Sequence, residues 1–574
     1  MESITVAITG AGGAGAISSG ELLLRLAGRQ GYFGMLKKTF SPQIRGGESA
    51  AILRLSPQPV ETFDGVIHLL IALDWHNFAR FSDEVPISAE TLVVQDVQAG
   101  TPPDNVPDGA ETITIDGAGV AAGVESGWVN MVFVGLMARV LGSDVDTVEA
   151  LVAQRFRRHP EATGQAAVRA ARAGFSLTEA ERLRALMSEL RPTRAVADRW
   201  LANGNQLAGL GALEAGIRFV AAYPITPASD VLEWLAGHLE ASGGNLVQAE
   251  DELAAINMVI GAGFGGVPAM TATSGPGLAL MSEGMGLAVA SETPVLVLNV
   301  MRGGPSTGIP TKSEQSDFNL AVYGLHGDAP HVVLACQSVA DCYHTTAWGA
   351  ALASELQTLV IVLSDQFLGQ SMQILDAPET TLYRAERFKP ADSSEVDGYR
   401  RYRDTASGIS PMAVPGDAHC MYTADGLEHT ESAVPSPRAG DHQRQLDKRQ
   451  RKIAQHDFGD SWYTLVGSAR ADTLLICFGA VTASAREALT ALATGGRSVA
   501  LLSFRLLCPL PLDQLEPILT CYERHWVVEQ NHSGQFCHYL RSLMPAVAFR
   551  SLARQGPLLI TPREIVDAIV GDSL

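Results

Sequence analysis

Residues 221–230 read AAYPITPASD, and they close an apolar run that begins at Ile217. Two prolines, Pro224 and Pro227, stand on either side of Thr226 at the end of that run. Proline fixes φ and has no backbone N–H, so a regular strand does not continue through it. The stretch therefore predicts a buried strand that ends in a rigid turn, with one hydroxyl group held at its tip.

The neighbouring sequence, from about residue 205 to residue 385, alternates short apolar strands with helical stretches. Strands that are apolar on both faces and are separated by helices indicate a parallel sheet covered by helices. The same alternation returns near both ends of the chain. A length of 574 residues is consistent with three or four domains.

We therefore predict an α/β protein with three parallel-sheet domains. The first, residues 1–195, opens with a strand, a glycine-rich turn and a helix, as in Rossmann-type folds. The second spans residues 200–385 and the third spans residues 461–574. Residues 386–460 are polar and have weak periodicity, so we expect a long excursion between domains, a kind of segment that often carries function.

Four consecutive strands of the middle domain end in polar or glycine-rich turns. The first ends at Thr226, the second ends just before Glu252, the third runs into TATSGPG at 271–277, and the fourth leads into Arg302. Ligands of open α/β sheets bind beyond the carboxyl ends of the strands. The spacing therefore predicts a binding site at this edge of the sheet.

Glu252 and Arg302 each have two interpretations. An acid is favourable in the first turn of a helix, and an arginine is often only a surface cation. The functional alternative places the Glu252 carboxyl group in an apolar, partly buried pocket. Arg302 leads a Gly-Gly-Pro turn directly after a buried strand, where its planar guanidinium group can bind a substrate carboxylate.

A glycine-rich motif follows the first strand of the chain. Gly10, Gly12, Gly13 and Gly15 satisfy the pattern G-x-G-x-x-G between a strand and a helix. This context favours a phosphate cradle at the helix N-terminus. A tight strand–helix turn without any ligand is the alternative explanation.

This chain has basic residues at the position where an NAD-binding site needs an acidic residue. Such a site has a carboxylate about 20 residues after the glycines, whereas this chain has Lys37 and Lys38, followed by Arg45-Gly46-Gly47. Two lysines favour a ligand with extra phosphate, and a diglycine turn lets the backbone approach that ligand closely. Coenzyme A fits this description, although a solvated lysine pair is the alternative for Lys37 and Lys38.

Composition excludes some classes of partner and site. The chain has 42 basic and 62 acidic residues, a net charge of −20, which argues against nucleic acid and anionic membranes as partners. Its start lacks a secretion-signal pattern, and no apolar run approaches the ~20 residues of a membrane span, so we expect a cytoplasmic protein. The cysteines show no C-x-x-C spacing, which indicates reduced thiols and no metal site on this chain. They are residues 336, 342, 420, 477, 508, 521 and 537.

Taken in order, the longer motifs resemble a known family. YPITPASD, EDELAAINMVIGAG, TATSGPG and MRGGPSTGIPTKSEQSD are similar to the α chain of 2-oxoacid:ferredoxin oxidoreductases. GAGGAG and RGGES resemble the γ-like part that is fused ahead of the α part in the 2-oxoglutarate type. GISPMAVPG (408–416) and EQNHSGQ (529–535) match later parts, so the resemblance covers nearly the whole chain.

The resemblance implies cofactors and residue roles. It implies thiamin diphosphate bound through a pyrimidine-binding domain, coenzyme A bound by the γ-like domain, and a last domain like the C-terminal domain of transketolase. Glu252 matches the glutamate that bonds the aminopyrimidine ring, and Arg302 matches the arginine that binds the substrate carboxylate. Thr226 and Thr311 match substrate-binding threonines. The implied reaction converts 2-oxoglutarate and coenzyme A to succinyl-CoA and CO2, in either direction, with ferredoxin as the electron carrier.

Two features that the reaction needs are absent from the sequence. No Gly-Asp-Gly diphosphate motif occurs, and no set of cysteines could ligate an iron–sulfur cluster. The resemblance implies that a β subunit supplies the diphosphate half, Mg²⁺ and a [4Fe–4S] cluster, in an assembly of two copies of each chain. Two alternatives remain open: the same chemistry on a branched-chain or aryl 2-oxo acid, and a non-catalytic coenzyme A-binding or assembly subunit.

Overall fold

The structure is a computed structural model that describes residues 2–40, 47–76, 78–80, 82–187, 190, 192, 199–390 and 398–571. Within these residues, helices surround three β-sheets. The strands are β1 (Ile4–Ala11), β2 (Phe33–Phe40), β3 (Glu48–Ser56), β4 (Leu69–Ala72), β5 (Leu92–Asp96), β6 (Thr112–Ile115), β7 (Arg199–Ala202), β8 (Phe219–Ala222), β9 (Asn245–Gln248), β10 (Ala269–Thr273), β11 (Val295–Met301), β12 (Val332–Ala335), β13 (Leu359–Asp365), β14 (Met372–Asp376), β15 (Tyr463–Val466), β16 (Thr473–Phe478), β17 (Val499–Phe504), β18 (Leu506–Cys508), β19 (Arg524–Glu529) and β20 (Phe549–Ala553).

None of the helices in the described part of the chain is long and apolar enough to cross a bilayer. The α-helices are α1 (Ala16–Arg29), α2 (Gly117–Ala122), α3 (Val129–Val140), α4 (Val145–Phe156), α5 (Glu161–Phe175), α6 (Ala180–Met187), α7 (Gly204–Ala215), α8 (Ser229–Ala236), α9 (Glu252–Phe264), α10 (Gly275–Leu280), α11 (Ser282–Ala290), α12 (Phe318–Tyr323), α13 (Asp341–Leu356), α14 (Gln366–Gln370), α15 (Ala439–Ala454), α16 (Val481–Thr494), α17 (Leu512–Leu519), α18 (Gln535–Leu543) and α19 (Pro562–Gly571).

The chain divides into two compact units. The first comprises residues 1–203 and 371–377, and the second comprises residues 204–370 and 378–574. Strand β14 lies within the range predicted for the middle domain, yet it pairs with β2 and β7 of the first unit. The domain boundaries proposed from the sequence remain a prediction.

The first unit contains an eight-stranded sheet in the order β6-β5-β4-β1-β3-β2-β14-β7. Strands β1, β4, β5 and β6 run parallel, but β3 is antiparallel to both β1 and β2, so this sheet is mixed rather than wholly parallel. The reason is the short connection. Only residues 41–47 join β2 to β3, fewer than the dozen or so that a parallel crossover needs.

The second unit contains the parallel sheet that the middle of the sequence predicts. Its order is β18-β12-β13-β11-β10-β8-β9, and β8 to β13 run parallel while β18 adds an antiparallel edge. Every residue of β11 and β13 is buried, as expected for strands covered by helices on both faces. A five-stranded sheet, β15-β17-β16-β19-β20, forms the last part of the unit.

A buried ionic cluster holds the polar excursion against the second unit. Glu292, in the turn between α11 and β11, accepts hydrogen bonds from Lys448 Nζ at 2.7 Å and from Lys452 Nζ at 2.9 Å. Arg401 Nη2 donates to the Glu292 backbone oxygen at 2.7 Å. All four side chains are buried. We call these four residues the Glu292 cluster.

The Glu292 cluster has three basic side chains and one carboxyl group. Burial lowers the pKa of Lys452 to about 7, and burial also lowers the pKa of Lys448. Burial alone would raise the pKa of Glu292, but the charges of Lys448, Lys452 and Arg401 bring it well below its ordinary value. The excursion is therefore tied to the turn before β11 by charge as well as by packing.

Candidate functional site

The ends of four parallel strands meet at one edge of the seven-stranded sheet. Strands β9, β8, β10 and β11 are consecutive neighbours in the sheet and run in the same direction. Their carboxyl ends lead to Glu252, to Thr226, to the turn at 274–277 and to Arg302 respectively. The structure thus brings three of the four predicted substrate and thiamin residues to the same edge.

Glu252 is fixed at the N-terminus of α9. Asp251 caps this helix by accepting a hydrogen bond from Ala254 N at 2.7 Å, which sets Glu252 as the first helical residue. The Glu252 side chain is 5% exposed and packs against Gly277. A Cβ atom at Gly277 would lie 2.7 Å from Glu252 Oε1 and 2.1 Å from Thr273 Oγ1. Only glycine at this position leaves room for the carboxyl group.

Strands β10 and β11, and the turn that follows β10, carry buried side-chain oxygens without hydrogen-bond partners. Among the residues that the structure describes, Thr271 Oγ1, Ser274 Oγ and Asn299 Oδ1 are buried and have no hydrogen-bond partner. Native interiors rarely leave such groups unpaired.

Arg302 lies at the end of β11 and turns toward the first strand tip. Its Nη1 atom donates to the Thr226 backbone oxygen at 2.6 Å, and its side chain is 6% exposed. Burial lowers the pKa of Arg302, and the charge of Asp317 opposes that shift. Because the ordinary pKa of arginine is far above neutrality, the group remains a cation that can bind a carboxylate.

Thr311 lies in a closed loop that follows Arg302. The backbone of Gly303 bridges to Ile309, and Gly303 N donates to Lys312 O at 3.0 Å. Gly308 has φ of 55°, and a Cβ atom there would meet Gly303 O at 1.8 Å, so the loop requires glycine. Thr311 is half-buried in this loop, next to the residue that bonds Gly303.

Asp317 is a site residue that sequence analysis missed. Asn299 Nδ2 donates to Asp317 Oδ2 at 2.9 Å, and the carboxyl group packs against Gly275. Burial raises the pKa of Asp317 to about 6, although the Asn299 hydrogen bond and the Arg302 charge oppose the shift. Its only sequence signal was its place at the end of the motif KSEQSD, residues 312–317.

The motif at 529–535 forms hydrogen bonds with the loop that follows Arg302. Gln315 N donates to Gln530 O and Gln530 N donates to Gln315 Oε1, each at 2.7 Å. Gln530 Nε2 also donates to Ser313 O at 2.9 Å. The later part of the chain thus helps to position the loop at residues 313–317.

The glycine-rich turn of the first unit opens onto a separate cavity of about 650 Å³. Gly13 and Gly15 line it on one side, and Trp128, Phe156 and Arg155 line it on the other. The centres of the Phe156 and Trp128 rings lie 5.2 Å apart, with the ring planes tilted by 55°, so the wall carries aromatic surface. Sequence analysis missed this wall because α3 and α4 read as ordinary helices.

The other residues predicted for coenzyme A lie elsewhere in the first unit. Lys38 Nζ pairs with Glu21 at 2.6 Å, and Lys37 Nζ lies 3.8 Å from Glu84. The glycine-rich turn does contact the second predicted turn, because Gly12 N donates to Gly47 O at 2.5 Å. Gly10 is the next-to-last residue of β1 and packs close to Ala14. Arg45 and Gly46 lie outside the described residues.

Family models match three consecutive parts of the chain. Residues 5–177 match a pyruvate ferredoxin/flavodoxin oxidoreductase domain, and residues 210–447 match the thiamine diphosphate-binding domain of pyruvate flavodoxin/ferredoxin oxidoreductases. Residues 471–565 match core domain II of pyruvate:ferredoxin oxidoreductase. The three models follow one another in the order expected for one multidomain family.

Known proteins match over long stretches. The 2-oxoglutarate synthase subunit KorA of Archaeoglobus fulgidus is 38% identical over 372 residues, which cover 65% of this chain and 99% of that protein. The 2-oxoacid:ferredoxin oxidoreductase subunit alpha of a Sulfolobus species is 29% identical over 92% of this chain and 90% of its own length. The solved 2-oxoglutarate:ferredoxin oxidoreductase of Magnetococcus marinus, with 2-oxoglutarate, coenzyme A and succinyl-CoA bound, is 33% identical and covers 100% of both chains at a TM-score of 0.90.

Proposed function

Because this chain belongs to the 2-oxoacid:ferredoxin oxidoreductases, as an α subunit with a γ-like part fused ahead of it, we propose that it catalyses the interconversion of 2-oxoglutarate and coenzyme A with succinyl-CoA and CO2. Electrons pass to or from ferredoxin. The observation that carries the proposal is that a buried carboxyl group, Glu252, and a buried guanidinium group, Arg302, both lie beyond the carboxyl ends of parallel strands at one edge of the same sheet.

Glu252 acts on the cofactor. Thiamin diphosphate, when bound, supplies the electron sink that decarboxylation of a 2-oxo acid requires. The buried Glu252 carboxyl group would hydrogen-bond a ring nitrogen of the pyrimidine. Gly277 keeps that carboxyl group in place.

Arg302 and the two threonines bind the substrate. The guanidinium group donates to the Thr226 backbone oxygen through one nitrogen and leaves other N–H groups for a substrate carboxylate. The prolines on either side of Thr226 restrict its backbone, so its hydroxyl group is preorganised toward the oxygens of a 2-oxo acid. Thr311, in the loop closed by Gly303, completes the substrate pocket.

A β subunit completes the active site. The sequence lacks a diphosphate motif, and the described residues contain no group of three or more histidine, cysteine, aspartate or glutamate residues that could hold a metal ion. We place the diphosphate half, Mg²⁺ and a [4Fe–4S] cluster on that partner, in an α2β2 assembly. Ferredoxins are commonly acidic, so a chain of net charge −20 favours ferredoxin docking on the β subunit.

Coenzyme A binds in the first unit. We place its phosphates at the turn that contains Gly10, Gly12, Gly13 and Gly15, at the N-terminus of α1, and its adenine against the aromatic wall of the adjoining cavity. The basic side chains Lys37, Lys38 and Arg45, together with Gly46 and Gly47, would contribute further phosphate contacts. Lys37 and Lys38 would have to exchange Glu84 and Glu21 for phosphate.

The test is turnover of the complex reconstituted with its β subunit, measured with 2-oxoglutarate, coenzyme A and a low-potential dye. We expect Glu252→Ala and Arg302→Ala each to lower turnover by at least ~100-fold. The matched control is Arg563→Ala, since that side chain is 83% exposed. Full turnover in both site variants would leave only a non-catalytic role, and a preference for branched-chain or aryl 2-oxo acids would correct the substrate.

A further inference from the structure

Asp317 occupies a helix cap position without capping the helix. It directly precedes α12, but its carboxyl group accepts no hydrogen bond from the first turn of that helix. Aspartate is among the best N-cap residues, so a cap position that goes unused needs an explanation. The carboxyl group is turned instead toward Asn299, whose Nδ2 atom donates to it at 2.9 Å.

The carboxyl group also touches the turn that carries the cofactor-facing residues. A Cβ atom at Gly275 would lie 2.6 Å from Asp317 Oδ1, just as a Cβ atom at Gly277 would lie 2.7 Å from Glu252 Oε1. Asp317 and Glu252 therefore flank the same short turn. Asp317 packs at Gly275 and Glu252 packs at Gly277.

Asp317 is electrostatically linked to Arg302. Arg302 follows Asn299 by three residues at the end of β11, and each of the two charged groups, Asp317 and Arg302, favours the ionised form of the other. The remaining charged group that acts on Asp317 is Glu314, in the same loop, which opposes its ionisation. Among the described residues, no direct ion pair joins Asp317 to Arg302, so the guanidinium group keeps N–H groups for a ligand.

We propose that Asp317 is a positioning residue whose carboxylate, when ionised, competes with the substrate carboxylate for the positive charge of Arg302. A dianionic 2-oxo acid therefore binds more tightly when Asp317 is neutral. The inference rests on the proposed role of Arg302. An ionised Asp317 carboxylate repels an incoming carboxylate and weakens its attraction to the Arg302 guanidinium group. Because burial raises the pKa of Asp317 to about 6, the effect falls within an accessible pH range.

Asp317→Asn separates charge from shape. Asparagine has nearly the same size as aspartate, and its carbonyl oxygen can still accept the hydrogen bond from Asn299. The dissociation constant of 2-oxoglutarate is measured by calorimetry on the reconstituted complex from pH 5.5 to pH 7.5. We expect wild-type affinity to rise as pH falls through about 6, and the variant to bind ~5-fold more tightly than wild type at pH 7.5, with little pH dependence.

If Asp317 had a purely structural role, Asp317→Asn would keep the wild-type pH dependence of 2-oxoglutarate binding and would have a lower melting temperature than wild type. Weaker binding by Asp317→Asn, or the same pH dependence in both proteins, would overturn the inference. Arg302→Ala, measured in parallel, separates this failure from that of the proposed function. If Arg302→Ala loses 2-oxoglutarate binding while Asp317→Asn matches wild type, only the role of Asp317 is wrong. If Arg302→Ala binds normally, both assignments fall.

Discussion

Gly277→Ala tests whether the position of Glu252 matters. The new Cβ atom would lie 2.1 Å from Thr273 Oγ1 and 2.7 Å from Glu252 Oε1, whereas ordinary contact begins at 3.4 Å. The Glu252 carboxyl group must therefore retreat by roughly 0.7 Å or force the turn outward, at a cost of about 1–3 kcal/mol in stability. A displacement of that size in a catalytic group lowers the rate by up to ~100-fold.

The assay is turnover of the reconstituted complex together with the dissociation constant of thiamin diphosphate. We expect a ~100-fold fall in turnover, weaker cofactor binding and a melting temperature lower by only a few degrees. Gly440→Ala on α15 is the matched control, because a Cβ atom there meets nothing within 4 Å. If Gly277→Ala keeps wild-type turnover and cofactor affinity, the placement of Glu252 against the cofactor is refuted.

Three further predictions concern the framework of the second unit. Glu292→Gln removes the only anion of the Glu292 cluster and leaves Lys448, Lys452 and Arg401 buried, so we expect a loss of about 3–5 kcal/mol, seen as a lower melting temperature. Lys452→Met tests the pH dependence of stability. Burial lowers the pKa of Lys452 in the folded state to about 7. Between that pH and the unfolded pKa of lysine, the folded state binds fewer protons than the unfolded state. This group therefore makes the free energy of unfolding of the wild type rise with pH, by up to ~1.4 kcal/mol per pH unit. Denaturant unfolding at pH 7, 8 and 9 should show a smaller rise in the methionine variant. Gln530→Ala loses the bond to Ser313 O, and we expect a several-fold higher KM for 2-oxoglutarate with a small change in kcat.

Each of these predictions has a clear contrary result. An unchanged melting temperature in Glu292→Gln would mean that the Glu292 cluster does not hold the excursion. Identical pH dependence in wild type and Lys452→Met would assign the dependence to other groups. An unchanged KM in Gln530→Ala would show that residues 313–317 keep their position without the motif at 529–535.

The sequence could predict the edge of the sheet where the strand ends meet, because each strand end is visible in a short stretch of sequence. Apolar runs that end in Thr226, Glu252, TATSGPG and Arg302 reveal strand ends, and parallel strands bring such ends together. The parallel sheet of the second unit and the family were both confirmed. The roles of individual site residues remain proposals.

The missed features depend on contacts between distant parts of the chain. Glu292 and Lys448 are 156 residues apart, and a charged residue in a polar stretch reads as solvated until its partner is known. Asp317 lies in a loop without periodicity, and only the fold places it against Asn299. The antiparallel β2–β3 pairing was missed because the alternation of strands and helices elsewhere favoured a wholly parallel sheet.

The central claim is that Glu252 faces the thiamin pyrimidine in a site shared with a β subunit. The most direct test is an experimental structure of the reconstituted complex with thiamin diphosphate bound. We predict a pyrimidine ring nitrogen within about 3 Å of a Glu252 carboxyl oxygen, with the diphosphate held by the partner subunit. A pyrimidine ring bound away from Glu252, or a diphosphate held by this chain alone, would contradict the account.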